Sequence, residues 1–542
     1  MYSNKENVGI LTALLVAHGI RHAVVCPGSR NAPIVHNLSV CPGMQCYPVT
    51  DERSAGFYAL GLSLQLQAPV AVCVTSGSAL LNLAPAASEA FYQHAPVVFI
   101  SADRPARQID QLMGQTLPQP DALGRMVRRA VSLPEPKDAA ESTWCVRLVN
   151  EALMEMRRGE GGPVHINVPI SEPLFRFDSE KLPEVQTISL HRAGMSNEAA
   201  DFLRSIACSS RLLVCVGYSA DSGLRDMLRR DLPFPVLSEV YGISPRHIDE
   251  MLLRARDKWA DYRPDTIIYI GGTFVSKRIK QFLQQAEGAR IVLVNADGQV
   301  ADPTMHATDI VEAPATDALA WLIASAYLTP PSEDFLRIWR RLAGEVEAKT
   351  ASYSPVFSSF AAVRALSQAA PDAVWHVGNS SSVRLALSLH HAPLYVNRGV
   401  NGIEGSLSTA AGWSLTGERT LCVIGDLSFF YDQNALWNTN LRGNLRILLI
   451  NNSGGSIFRT LPGLEQSPAR DALVMARHST GARGICEQCG VNYRRATCGE
   501  ELPAAIDWLL HADGDRPFLL EIVTDTATDE QVLQDFYQHI TR

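Results

Sequence analysis

The sequence lacks the features that would associate this chain with a membrane or with nucleic acid. No apolar run reaches the roughly 18–20 residues that a membrane-spanning helix needs. Lys and Arg number 48 against 56 Asp and Glu, and the net charge of −8 disfavours nonspecific binding to nucleic acid, which needs a basic surface. The 542 residues, 46% hydrophobic and 19% charged, are instead typical of a globular protein of two to four domains.

Signs of secretion are also missing. The N-terminus has an apolar stretch but no small-residue cleavage site, and His18-Gly19 predicts the end of an amphipathic first helix and not a signal peptide. The 11 cysteines are scattered, several of them inside apolar runs, which is typical of core residues in a reducing compartment and predicts a cytoplasmic protein. Cys486 and Cys489 have the spacing of two zinc ligands, but no second such pair follows, so a structural zinc is not expected.

Short apolar runs do recur, and each ends in a polar or glycine-rich turn. Their alternation with helical patterns predicts the fold class α/β, with three doubly wound domains at residues 1–180, 190–330 and 350–542. The predicted strands are 23–26, 48–50, 70–74, 97–100 and 164–168 in the first domain, 212–216, 235–238, 266–270 and 291–295 in the middle domain, and 373–377, 394–397, 421–424, 445–450 and 518–523 in the third. Predicted strands and helices alternate in a similar way in the first and third domains, which suggests that these two domains are alike. The middle domain is Rossmann-like but has no GxGxxG motif, so a structural role is favoured over nucleotide binding.

The stretch 421–458 carries the most specific pattern. Two apolar runs flank a predicted amphipathic helix at 429–440, which makes a βαβ unit with neighbouring parallel strands. Asp426 follows the first strand and Asn452 the second, so both are expected at the same edge of the sheet. Their oxygens, with a backbone carbonyl near Gly454, suit Mg²⁺. Gly454-Gly455 permits close backbone approach and opens another predicted helix, whose N–H groups would meet phosphate oxygens. The stretch predicts a magnesium–diphosphate site; an ordinary βαβ unit capped by Asp426 is the alternative.

Cationic side chains are unusually frequent near the predicted strand ends. Because Arg binds carboxylates through two parallel hydrogen bonds, this group predicts substrates with several carboxylates. The alternative is that each one is a surface or ion-pair residue. The six residues are Arg30, Arg104, Lys277, Arg278, Arg384 and Arg398.

The pattern that begins Gly425-Asp426 and ends Asn451-Asn452 resembles the motif of thiamine-diphosphate enzymes, with one departure: Leu427 stands where many members have a second glycine. Longer stretches resemble one family among them, the 2-succinyl-5-enolpyruvyl-6-hydroxy-3-cyclohexene-1-carboxylate synthases of menaquinone biosynthesis. The resemblance covers the whole chain in the right order. The stretches are PGSRNAP (27–33), DERSAGFYALGL (51–62), VTSGSALLNL (74–83), SADRP (101–105), SKR (276–278), VGNSSSVR (377–384), NRGVNGIEG (397–405), GDLSFFYDQNAL (425–436) and NNSGGSIF (451–458).

The resemblance implies a catalytic role for Glu52, beside the aminopyrimidine ring of thiamine diphosphate, where it promotes the imino tautomer. A charge that only stabilises a helix N-terminus is the alternative. Ile403 is implied as the apolar wedge that bends the cofactor, with plain core as the alternative, and Ile457 and Phe458 as an apolar wall over the ring.

The same resemblance implies three sets of binding residues. The metal, Mg²⁺ or Mn²⁺, is assigned to Asp426, Asn452 and Gly454. Cofactor binding is assigned to Glu52, Ser76, Gly77, Ser380, Gly402, Ile403, Gly425, Asp426, Leu427, Ser428, Asn452, Gly454, Gly455, Ile457 and Phe458. Substrate binding is assigned to Arg30, Arg104, Gln115, Lys277, Arg278, Ser380, Arg384 and Arg398, with Gln115 resting on the short motif MGQTLPQ.

The implied reaction is decarboxylation of 2-oxoglutarate with thiamine diphosphate, followed by conjugate addition of the succinyl unit to isochorismate. A homodimer or homotetramer with active sites between subunits is also implied. One alternative is an acetolactate-synthase-like enzyme that acts on pyruvate, often with FAD in the middle domain; the Arg-rich edges speak against it. Another is a binding protein on the same fold that has lost catalysis. The presence of Glu52, Asp426 and Asn452 together speaks against that.

Overall fold

Parallel strand pairing builds three sheets in the computed structural model, which describes residues 1–219, 221–239, 247–461 and 463–542. The first sheet contains β1 (His22–Val25), β2 (Gln45–Pro48), β3 (Val70–Val74), β4 (Val97–Asp103), β5 (Arg129–Ser132) and β6 (Val164–Pro169). The second contains β7 (Leu212–Val216), β8 (Val236–Ser238), β9 (Thr266–Ile270), β10 (Arg290–Asn295) and β11 (Asp309–Glu312). The third contains β12 (Trp375–Val377), β13 (Leu394–Val396), β14 (Thr420–Gly425), β15 (Leu445–Asn451), β16 (Asn492–Ala496) and β17 (Phe518–Val523).

Helices connect the strands. None of those in the described ranges is long and apolar enough to cross a membrane. They are α1 (Glu6–Ala17), α2 (Ala32–Val40), α3 (Glu52–Leu66), α4 (Ser78–Asn82), α5 (Ala84–Tyr92), α6 (Ala139–Glu155), α7 (Asn197–Ala207), α8 (Ser222–Leu228), α9 (Ile248–Arg254), α10 (Trp259–Tyr262), α11 (Lys277–Gln284), α12 (Ala315–Leu328), α13 (Glu333–Ser352), α14 (Ser359–Ala369), α15 (Ser381–Leu389), α16 (Ser406–Ser414), α17 (Asp426–Tyr431), α18 (Arg483–Cys489), α19 (Leu502–His511) and α20 (Thr526–Thr541).

The strand orders confirm the predicted α/β class and the likeness of the outer two domains. The first sheet has the order β2-β1-β3-β4-β6-β5, and the third has the equivalent order β13-β12-β14-β15-β17-β16. The middle sheet is different, β11-β10-β9-β7-β8. Central strands such as β3 and β7 are buried along their whole length, as expected for sheets covered by helices on both faces. The domain limits given above remain a prediction.

Three strands were not predicted, and all lie at sheet edges. Strands β5, β11 and β16 have sequences RAVS, DIVE and NYRRA, with only part of each buried. An edge strand with one solvated face needs no continuous apolar run, so the composition that identified the central strands is absent here. The edge strand β2 was predicted at 48–50 but lies at Gln45–Pro48 for the same reason.

The crossover between β14 and β15 differs from its prediction. The helix expected at 429–440 ends at Tyr431, and only a 3₁₀ turn, Gln433–Leu436, follows. Polar side chains of this segment bond to distant groups: Asn434 donates to Asp51 at 2.8 Å, and Asn440 donates to the carbonyl of Pro48 at 2.7 Å. These tertiary hydrogen bonds outweigh local helix propensity.

Helices α3 and α16 join the first and third domains through a close glycine-mediated contact. A Cβ built on Gly61 lies 1.9 Å from the carbonyl oxygen of Thr409, and one built on Gly412 lies 2.2 Å from that of Tyr58. No larger residue fits at either position without moving backbone. This contact fixes the start of α3, where Glu52 lies, relative to the third domain.

Replacing Gly61 with Ala is expected to lower the free energy of unfolding by about 3 kcal/mol, because the methyl group meets backbone that cannot give way. Gly344, inside α13, is the matched control: nothing lies within 4 Å of its added Cβ. Gly344→Ala is expected to raise stability by about 0.5–1 kcal/mol. Urea unfolding followed by circular dichroism measures both, and equal effects would contradict the packing argument.

Candidate active site

Asp426 follows β14 directly and is buried, with 4% of its surface exposed. Its Oδ1 accepts a hydrogen bond from the N–H of Leu427 at 2.7 Å, and its Oδ2 accepts one from the N–H of Gly454 at 3.0 Å. The Nε2 atom of His478 lies 3.2 Å from Oδ2. Burial raises the pKa of Asp426, and these contacts oppose that rise. The residue therefore holds a carboxylate where a cation would relieve the cost of burial.

Asn452, which follows β15, has its amide orientation fixed. Its Nδ2 donates to Ser456 Oγ at 3.1 Å and to Asp529 Oδ2 at 2.9 Å, so Oδ1 faces the opposite way. Gly454 has φ +142°, and a Cβ there would lie 2.8 Å from the carbonyl oxygen of Met475. The turn thus brings one carboxylate, one amide oxygen and bare backbone together, a donor set that fits a hard divalent cation with phosphate oxygens.

The prediction that a helix begins after Gly454-Gly455 is wrong. Only a 3₁₀ turn, Ser456–Thr460, forms there, and the N–H of Gly455 donates to the Met475 carbonyl at 2.8 Å. An anion site at a full helix N-terminus is therefore not available at this point. Ile457 and Phe458 lie on the 3₁₀ turn and are half-buried. Of the other predicted cofactor residues, Gly425 ends β14, and Leu427 and Ser428 lie in the first turn of α17.

A second group forms next to Asp426, where β12 and β13 end. Asn379 donates to the carbonyls of Asn397 at 2.8 Å and Gly402 at 2.7 Å, and its Oδ1 accepts from Arg398 at 3.1 Å. Ser380, with φ +71°, precedes α15. Ile403 is 40% exposed, so its alternative interpretation as a core residue is wrong for the single chain.

The predicted cations of the middle and third domains meet at one turn, residues 274–276. Arg398 donates to the carbonyl of Phe274 at 3.3 Å, and Arg384 donates to that of Val275 at 3.5 Å. Lys277 and Arg278 begin α11 immediately afterwards. Burial, more than any neighbouring charge, lowers the pKa of Arg398. The structure therefore brings four of the six predicted cations together.

Arg30 and Arg104 are also neighbours, in the first domain. Arg30 is 5% exposed and donates to the carbonyl of Ile170 at 2.8 Å and to Glu172 at 3.2 Å. Its pKa is lowered by burial and then by the charge of Arg104. Arg104 donates to the carbonyl of Gly114 at 2.9 Å, and Gln115 follows with an exposed side chain and φ +57°.

Glu52 is the first residue of α3, capped by Asp51, whose Oδ1 accepts from the N–H of Ser54 at 2.8 Å. The Glu52 carboxylate accepts a hydrogen bond from Asn82 at 3.2 Å. Its neighbour Arg53 donates to the carbonyl of Tyr431 at 2.6 Å. The start of α3 thus rests on the end of the helix that Asp426 begins, although the hydrogen bond described for Glu52 itself is to Asn82.

A buried polar network supports the predicted residue Gly77, which follows Ser76, and was missed by the sequence analysis. Gln119, fully buried, accepts from the N–H of Gly77 at 2.7 Å and donates to Asn167 at 2.8 Å. Asn167 in turn donates to Asp103 at 2.9 Å, next to Arg104. A His and an Asn inside the apolar run HINVP were the only available signal. Burial lowers the pKa of that histidine, His165, to about 4, so it is neutral at pH 7.

A model of thiamine pyrophosphate enzymes, described as their N-terminal TPP binding domain, matches residues 8–123. Relatives match essentially the whole chain. A protein of Bacteroides thetaiotaomicron is 41% identical, covering 100% of both chains, and one of Phocaeicola vulgatus is 42% identical, covering 99% of both. One of Desulfotalea psychrophila is 36% identical over 96% of this chain and 98% of its own. All three are named 2-succinyl-5-enolpyruvyl-6-hydroxy-3-cyclohexene-1-carboxylate synthase.

Asp432 gives a testable pH effect close to this site. It is fully buried and accepts from the N–H and the hydroxyl of Ser408, both at 2.7 Å, while burial raises its pKa to about 7. A raised carboxyl pKa contributes stability at low pH that is lost as pH rises from about 4 to about 7. Asp432→Asn should therefore gain stability relative to the native protein over that window, by an amount on the order of 2–4 kcal/mol. Urea unfolding midpoints of both proteins, measured at about pH 4.5 and about pH 8, test this; a stability difference that does not change with pH would contradict the assignment.

Proposed function

The chain belongs to the 2-succinyl-5-enolpyruvyl-6-hydroxy-3-cyclohexene-1-carboxylate synthase family of thiamine-diphosphate enzymes, and we propose that it catalyses that family's reaction in menaquinone biosynthesis. Its substrates are 2-oxoglutarate and isochorismate. One observation carries the proposal: four neighbouring strands, β13-β12-β14-β15, end at the same edge in a cation, a serine turn, a buried carboxylate and an amide. That edge combines a cofactor site with a site for polyanionic substrates. The residues are Arg398, Ser380, Asp426 and Asn452.

The residues at the edge fit the diphosphate end of the cofactor. Asp426, the Oδ1 of Asn452 and a carbonyl near Gly454 hold Mg²⁺ or Mn²⁺, and the glycine backbone admits the diphosphate. Ile403, Ile457 and Phe458 supply apolar surface. The chemistry that thiamine diphosphate supplies when bound is an acceptor for the electrons released when 2-oxoglutarate loses CO₂. Contacts along the cofactor are assigned to Ser76, Gly77, Ser380, Gly402, Gly425, Leu427, Ser428 and Gly455.

Glu52 holds and moves a proton at the aminopyrimidine nitrogen, which a carboxylate within hydrogen-bonding distance can do. The cations orient the substrates. Two dicarboxylates bring four negative charges, which matches a group of arginines and lysine better than one monocarboxylate does. Guanidinium groups already held by protein carbonyls lose little freedom on binding, so the site is pre-organised. Those cations are Arg30, Arg104, Lys277, Arg278, Arg384 and Arg398, with Gln115 as a further polar contact.

A second copy of the chain is proposed to complete each active site, in a homodimer or homotetramer. Large apolar side chains are exposed around both halves of the site, as expected for surface that another subunit covers. The hydrogen bond described for Glu52 is to Asn82, and not to the Asp426 turn of the same chain, which supports a cofactor shared between subunits. The exposed residues are Leu81, Tyr92, Ile403, Tyr431 and Trp437. A cytoplasmic location stays a prediction.

The acetolactate-synthase-like alternative is weakened by the middle domain. Its strand order reverses between β7 and β9, where a dinucleotide such as FAD would bind. A Cβ on Gly217 would lie 1.9 Å from the carbonyl oxygen of Gly272, and the N–H of Gly272 donates to the carbonyl of Tyr218 at 2.8 Å. The backbones of the two loops are therefore in direct contact at residues 217–218 and 272, which restricts the space for a dinucleotide there.

Turnover of 2-oxoglutarate tests the proposed reaction. With thiamine diphosphate, Mg²⁺ and isochorismate, CO₂ release should depend on 2-oxoglutarate and not on pyruvate. Glu52→Gln should lower kcat by about 100-fold or more, because it removes a general acid–base group. Glu333→Gln is the matched control, since Glu333 is also the first residue of a helix. Equal activity of the two variants would mean that Glu52 only stabilises the N-terminus of its helix. Turnover of pyruvate but not of 2-oxoglutarate would contradict the proposed reaction.

Removal of the Asp426 carboxylate tests the metal site separately. Asp426→Ala should abolish Mg²⁺-dependent binding of thiamine diphosphate in calorimetry. The variant should still fold, because a carboxylate whose burial is costly is replaced by a small apolar group. Asp372→Ala, at an exposed position, should bind the cofactor normally. Unchanged Mg²⁺-dependent affinity in Asp426→Ala would rule out the assigned ligand.

A further inference from the structure

The turn at residues 274–276 is the common support of the cation cluster, defined as Lys277, Arg278, Arg384 and Arg398. Its carbonyls accept hydrogen bonds from Arg398 and Arg384, which come from the third domain. The other two cations follow it in the chain, at the start of α11. A displacement of this short piece of backbone would therefore move Lys277 and Arg278 and shift the carbonyl acceptors of Arg384 and Arg398.

Glu239 holds that turn. It comes directly after β8, and its carboxylate accepts a hydrogen bond from the N–H of Val275 and another, at 2.8 Å, from the N–H of Ser276. Two consecutive backbone N–H groups bound by one carboxylate fix both the position and the orientation of the peptide planes. The carbonyls of the same two peptide planes, those of Phe274 and Val275, point the other way and accept the hydrogen bonds from the arginines. The negative charge of Glu239 also acts on Arg398 more strongly than that of Glu89, and it opposes the lowering of the Arg398 pKa by burial.

Nearby carboxylates act in related ways but on fewer members of the cluster. Asp249 accepts from the hydroxyl of Ser276 and forms an ion pair with Arg278. Glu89, 1% exposed on α5, accepts from the N–H of Gly399 at 2.6 Å and of Val400 at 2.8 Å, beside Arg398. Of these three carboxylates, only Glu239 binds the backbone of the turn that all four cations contact or follow.

We propose that Glu239 is the positioning residue of the cation cluster: by holding the 274–276 turn, it sets the geometry with which the carboxylates of both substrates are bound. It contacts no substrate or cofactor itself. This inference rests on the proposed function, which supplies the polyanionic substrates. It adds a residue that lies in none of the stretches carrying the family resemblance.

Glu239→Gln tests the inference because glutamine keeps the size of the side chain but offers one acceptor oxygen for two N–H groups. The KM for 2-oxoglutarate or isochorismate is expected to rise about 10-fold or more, as for loss of a hydrogen bond to a charged group. The value of kcat and the affinity for thiamine diphosphate with Mg²⁺ should change little, because Asp426 and Asn452 lie on other strands. Loss of general stability alone would not produce this separation of KM from kcat.

Glu250→Gln is the matched control. Glu250 lines the same cavity as Glu239, and burial likewise raises its pKa to about 7, but its carboxylate bonds to Ser388 at 2.5 Å and not to the turn. Equal KM shifts in the two variants, or none in Glu239→Gln, would overturn the proposal. If Glu239→Gln does not fold, Glu239→Asp decides: the shorter acid cannot bridge both N–H groups, so a native KM for both substrates would also overturn it.

Failure of the proposed function is distinguished by direct binding. Calorimetry with 2-oxoglutarate on the native protein measures whether the cluster binds a dicarboxylate, independently of turnover. Binding without turnover would overturn the proposed reaction, and the comparison of Glu239→Gln with Glu250→Gln would then be made on binding affinity. Absence of dicarboxylate binding in the native protein would overturn both the proposed substrate class and the role of Glu239.

Discussion

A hydrogen bond between the Asp426 carboxylate and the N–H of Gly454 is the interaction on which the site depends. Asp426 is buried at the end of β14, where its charge is costly, and the turn after β15 satisfies part of it. Parallel strands point their carboxyl ends to one edge, so this contact also brings Asn452 and the glycine backbone to the same point. The remaining cost of burial is what a metal ion would relieve. The Asp426 carboxylate thus both holds the turn after β15 in place and is the proposed metal ligand.

The cationic residues follow a different physical logic. Each described arginine of the site is engaged by a carbonyl or a carboxylate of its own chain, as Arg30 is by Ile170 and Glu172. Such acceptors use some of the five N–H donors of a guanidinium and leave others for a ligand. The side chains are consequently held in position before any substrate arrives, and most of the ordering cost has been met during folding. A site prepared in this way suits the dicarboxylate substrates that we propose for the chain.

Much of this organisation was predictable from the sequence, for reasons specific to the elements concerned. Strands β14 and β15 are continuous apolar runs because they are covered on both faces, and their ends are marked by Asp426 and Asn452. The crossover between them was not predictable. Its asparagines bond to Asp51 and Pro48, far away in the chain, and the helical pattern of 429–440 contains no trace of those partners. Edge strands such as β16 were not predicted, for a related reason: a strand with one solvated face has few consecutive apolar residues.

The sequence by itself determined the α/β class, the repeated order of the outer domains and the residues that meet at the edge of the third sheet. These follow from local hydrophobic patterns and from the direction of parallel strands. Only the tertiary structure decided which groups support them. Glu239 accepts hydrogen bonds from the backbone N–H groups of residues 275 and 276, and Glu89 accepts them from those of residues 399 and 400. Every residue except proline has such an N–H, so a sequence cannot indicate which one a distant carboxylate will bind, and burial that shifts a pKa exists only after folding.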